Sequence, residues 1–66
     1  MLEPVEAMKI ALSVLTALTE RNFPDRSAVQ ALRSYAPEFQ DLAPDELACH
    51  VIQQVLQERG LIHTAG

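Results

Sequence analysis

Residues 4–21 read PVEAMKIALSVLTALTER, and this stretch decides the fold. Pro4 suits the first position of a helix, where its missing N–H has no partner to lose, and Glu6 follows near the positive end of the helix dipole. At about 100° per residue, Glu6, Lys9, Ser13, Thr16 and Glu20 fall on one narrow polar strip. Apolar residues fill the rest, an arc of roughly 240° where a surface helix needs only ~100°. The spacing predicts a helix over 4–21. Asn22 is expected to take the left-handed position beyond its end, and Pro24 forbids continuation.

Working outward, Asn22 or Asp25 can cap a second helix over 24–35, with Val29, Leu32 and Ala36 as its apolar stripe and Arg26, Gln30 and Arg33 on its outward side. Pro37 disfavours a helical Ala36, and the following stretch to Ala43 reads as a loop or one helical turn anchored by Phe39 and Leu42. A third helix over 44–59 has the fullest set of signals. Pro44 fits the first position, Asp45 and Glu46 lie in the first turn, Arg59 lies in the last turn, and Gly60 stands ready as the left-handed residue beyond it. Leu61 is expected to fold back on Leu56, and residues 63–66 to fray. No segment alternates with period two. The expected fold is all-α, a single small three-helix domain over residues 1–66.

The chain has 66 residues, of which 48% are hydrophobic and 21% charged. That composition is globular, yet a domain this small buries only about 60% of the surface its unfolded chain exposes. Nine acidic residues against five basic ones give a net charge of -4, which opposes nucleic-acid binding, where a Lys/Arg cluster must displace counterions. One cysteine, Cys49, leaves no internal disulfide. The start Met-Leu-Glu-Pro lacks the basic residues of a secretion signal. The apolar run from Ile10 to Leu18 is too short to span a bilayer, so neither membrane insertion nor export is expected and the reading is cytoplasmic.

Two seams with three-four spacing lie within the wide arc of the first helix. Met8, Leu12, Leu15 and Leu18 have the bulk to fill the space under the other two helices, and this seam is assigned to the chain's own core. Ala7, Ile10, Val14 and Ala17 mix small and β-branched residues and are assigned to a homodimer interface, a copy of the first helix packing antiparallel with Val14 near the two-fold axis. In the third helix Leu47, Ala48, Val51 and Val55 form the inner stripe, which Ile52 and Leu56 extend sideways past Cys49. Faces this wide exceed what one short second helix can cover, and an exposed patch of that size is unusual in a soluble monomer.

No enzymatic chemistry is expected. Cys49 and His50 are adjacent and point about 100° apart, so they form no dyad. Glu46 and His50 share a polar face but make only two ligands, and no metal or other cofactor is expected. His63 lies in a tail with no fixed place. The only glycines are Gly60 and Gly66, so there is no phosphate-binding loop. The sequence reads as a non-enzymatic protein–protein interaction module, a regulator, adaptor or inhibitor acting as a homodimer on a larger protein. Tyr35, Phe39, Ile52 and Leu56 are its expected partner-binding residues. The alternative is a small DNA-binding transcriptional regulator. Against it, the gap from Tyr35 to Pro44 is about twice a helix-turn-helix turn of 3–4 residues, and Asp45 and Glu46 would repel phosphates.

Overall fold

The computed structural model describes residues 2–60. Among them the chain forms helix α1 (Pro4–Thr19), helix α2 (Arg26–Tyr35), a 3-10 turn (Pro37–Phe39) and helix α3 (Pro44–Glu58), with no strand. The expected folding back of Leu61, the place of His63 and the fraying of residues 63–66 lie outside the described residues.

Pro4 and Pro44 each open their helices, with Glu6 in the first turn of α1 and Asp45 and Glu46 in that of α3. α1 ends two residues earlier than the apolar spacing predicts. Arg21, not Asn22, takes the left-handed conformation, with φ 62°. The Asn22 N–H donates to the Ala17 carbonyl at 2.8 Å and the Arg21 N–H to the Leu18 carbonyl at 3.1 Å. This pair of bonds is a Schellman cap. Arg21 pays a steric penalty there that a glycine would not.

α2 begins at Arg26 because the Asp25 carboxylate accepts from the Ser27 N–H at 3.2 Å, which satisfies one of the unpaired donors of the first turn. Pro37 ends it by forcing Ala36 to an extended φ of -129°. Arg33 does not mark an outward side. Its guanidinium turns back and donates to the carbonyls of Gln40 and Leu42, the latter at 3.1 Å. One cation thus ties the end of α2 to the connection that launches α3. α3 ends at Glu58, one residue before the expected end, with Arg59 at the cap and not in the last turn. Gly60 takes the expected left-handed position at φ 72° and donates its N–H to the Gln57 carbonyl at 3.0 Å.

The core consists of Ala7, Ala11 and Val14 from α1, Leu32 from α2, Ala36 just beyond it, and Leu47, Ala48, Val51 and Val55 from α3. α1 packs most extensively on α3. Where two helices meet closely, small side chains permit the approach and bulky ones are displaced to the flanks. Ala7, Ala11 and Ala48 fill that role.

This arrangement corrects the seam assignment in α1. Val14 is only 1% exposed and Ala7 is fully buried, both inside the chain's own core. Ile10 and Ala17 are half-buried, and Ile10 also packs against the core. Leu12, assigned to the interior by its bulk, is 51% exposed. Of the four residues assigned to a dimer interface, Ala7 and Val14 therefore lie in the chain's own core and Ile10 packs against it. The physical reason is volume, since the side chains α1 buries are Ala7, Ala11 and Val14 and small side chains let two helices approach closely.

Candidate functional site

Val5 and Leu12, two of the three exposed large apolar residues among those described, lie together on the outer flank of α1. Val5, Met8, Leu12 and Leu15 follow three-four-three spacing and form one stripe along the helix. Val5 is 44% and Leu12 51% exposed, while Met8 and Leu15 are half-buried and pack against the core. The stripe carries no charge. Lys9 and Thr16 border it on the solvent side, where the Thr16 hydroxyl donates to the Leu12 carbonyl at 2.8 Å and so removes a polar group from the rim.

The four residues expected to bind a partner fall in different places. Phe39 is half-buried, and its ring stacks on His50 with centroids 4.6 Å apart and planes inclined by 22°. Its face is thereby occupied from within the chain. Tyr35 is half-buried at the end of α2. Its hydroxyl donates to Glu58 Oε1 over a long 3.5 Å. Burial, then the negative charge of Glu58, raises its phenol above the ordinary 10.0, with Glu3 adding to the effect. With Leu2, Ala31 and Ser34 it lines a groove of about 380 Å³. Ile52 and Leu56 stand half-buried on the flank of α3, beside the exposed Cys49. Tyr35 and Phe39 are thus separated from Ile52 and Leu56 by the core stripe of α3.

Phe23 is the apolar residue whose exposure sequence reasoning passed over. It lies in the α1–α2 connection and is 99% exposed. The signal available was its neighbourhood: it follows a capped helix end and precedes Pro24, so its backbone is held extended with no helix face to pack on.

Among the described residues every fully buried side chain is apolar. No three His, Cys, Asp or Glu side chains among them lie close enough to share a metal ion, and Glu46 and His50 gain no third ligand. No described helix is long and apolar enough to cross a membrane. The exposed large apolar side chains among the described residues are Val5 and Leu12 on α1 and Phe23 beyond it. Comparison with known proteins finds no family model, no curated protein and no solved structure that matches this chain.

Proposed function

We propose that this chain is a non-enzymatic protein–protein interaction module whose working surface is the outer flank of α1. The observation that carries this reading is the exposure of Leu12 and Val5 on a single uncharged helical stripe. A leucine half in water on a helix that already has a complete buried face gains nothing in the monomer. Covering it stabilises an assembly by about 25 cal/mol per Å² of apolar surface removed from water. Apolar stripes of this kind, read as residues three and four apart, are how one helix docks on another.

The test compares wild type with Leu12→Glu as immobilised baits in extract of the native cell. The expected result is a bound protein, a second copy of the chain included, that wild type retains and Leu12→Glu loses while both baits have the same circular dichroism spectrum. If no protein shows that dependence on Leu12, the reading is wrong.

A further inference from the structure

The stripe of α1 and the flank of α3 belong together. Leu2 lines one groove with Tyr35, and the Tyr35 hydroxyl bonds to Glu58, so the start of α1 and the end of α3 meet at one end of the molecule and the two helices run antiparallel. On α3, His50 lies to one rotational side of the buried stripe, and Glu58 falls on that half of the stripe. They touch Phe39 and Tyr35, which places the 3-10 turn and the end of α2 on that side. Ile52 and Leu56 lie to the other side. In an antiparallel pair of right-handed helices, positions displaced in the same rotational sense from the mutual contact share a face. On α1 that sense leads from Ala11 to Met8, Leu15 and Leu12. The stripe of α1 and the flank of α3 therefore form one apolar face, turned away from α2.

The α1 stripe and the charged ends of the α3 flank are self-complementary. About the level of Ile10, Val5 mirrors Leu15 and Met8 mirrors Leu12. About Ile52, Asp45 mirrors Arg59, seven residues away on each side. The two centres fall near one level. Since Leu2 and Glu58 both lie beside Tyr35, α1 and α3 residues whose numbers add to about 60 are roughly level, and Ile10 and Ile52 come within two of that sum.

We infer that the occupant of this face is a second copy of the chain, related by a two-fold axis that crosses both helices at the level of Ile10 and Ile52. This rests on the interaction reading above and names its partner. The axis lays α1 antiparallel on α1 of the other copy, Val5 of one against Leu15 of the other and Met8 against Leu12. It lays α3 on α3 with Ile52 at the centre and brings Asp45 of each copy beside Arg59 of its mate. Asp45 and Arg59 are both exposed and form no ion pair with one another within one chain, because they stand at opposite ends of α3. The acidic excess of the chain opposes self-association in general, but the α1 stripe is uncharged and the ends of the face carry opposite charges.

The test is light scattering and sedimentation of the purified full-length chain over a range of concentrations. Wild type is expected to reach twice the chain mass, and Leu12→Glu to remain a helical monomer. Asp45→Arg and Arg59→Asp each place like charges together twice per dimer and are expected to weaken association about tenfold. The double variant, with the charges exchanged, is expected to recover wild-type association. Recovery is the decisive readout, because a loss of α3 stability from either single change would persist in the double variant. A wild-type mass of one chain near 1 mM, or a double variant no tighter than the singles, overturns the inference. If wild type is monomeric yet retains a different protein in a Leu12-dependent way, the second copy is excluded and the interaction reading stands. If both measurements fail, both readings fall.

Discussion

Exchanging the roles of Val14 and Leu12 has a measurable consequence. Val14→Ala removes two methyl groups from a side chain that is 1% exposed and surrounded by the core of all three helices. Their transfer free energy is about 1.6 kcal/mol, and a residual cavity of roughly 40 Å³ adds about 1 kcal/mol, for a loss of about 2.5 kcal/mol. Leu12→Ala removes more atoms, but half of that surface already meets water and no enclosed cavity remains. With the better helix propensity of alanine, its loss is about 0.5 kcal/mol. Urea denaturation followed by circular dichroism measures both, diluted until the midpoint no longer depends on concentration, so that association does not enter. In a chain this size the difference corresponds to a separation in Tm on the order of 10 °C. If Leu12→Ala is the more destabilising of the two under those conditions, the inward face of α1 is wrongly assigned. The same logic makes Val14→Glu an unfolding substitution, not a way to a folded monomer.

Arg33→Ala removes two hydrogen bonds from a cation to the carbonyls of Gln40 and Leu42. Because the site is half-exposed, the expected loss is about 1–2 kcal/mol. Arg33→Lys should recover little of it, since an ammonium lacks the planar fork that reaches both carbonyls. Amide exchange in residues 37–43 should accelerate in both variants, and unchanged exchange would remove Arg33 as the tie between α2 and α3. Arg21→Gly relieves the strain at φ 62° and should stabilise the chain by about 1 kcal/mol. Arg21→Ala, which keeps the Cβ, should not, and equal denaturation midpoints for the two would count against a left-handed Arg21.

Much of the fold was legible because it is written in local chemistry. Pro4, Pro44, Asp25 and Gly60 each act on backbone groups within a few residues, so their effects do not depend on tertiary structure. The end of α1 was less so. Asn22 tolerates the left-handed region better than arginine does, but choosing Arg21 lets α1 close its last turn with two hydrogen bonds and leaves Asn22 and Phe23 free to extend toward Pro24. Arg33 was misread for a similar reason. Its place on the helix wheel is outward, and only the path of the connection after Pro37 brings carbonyls within its reach.

The candidate site shows a different limit. Periodicity reports how wide an apolar arc is, and in α1 the arc is indeed wider than one core consumes, since Val5 and Leu12 remain in water. It does not report which part of the arc is surplus. Bulk seemed to answer that, on the premise that a core rewards the largest side chains. The premise holds where helices stand apart, and fails where one helix lies close against another. There the buried residues of α1 are Ala7, Ala11 and Val14, which share one core with Ala48 and Val51 of α3, and the larger Met8, Leu12 and Leu15 stand at the rim of the same helix. Small residues at the closest approach and large ones beside it are two parts of a single packing solution. The closer α1 and α3 pack, the more leucine surface that solution places on their outer face.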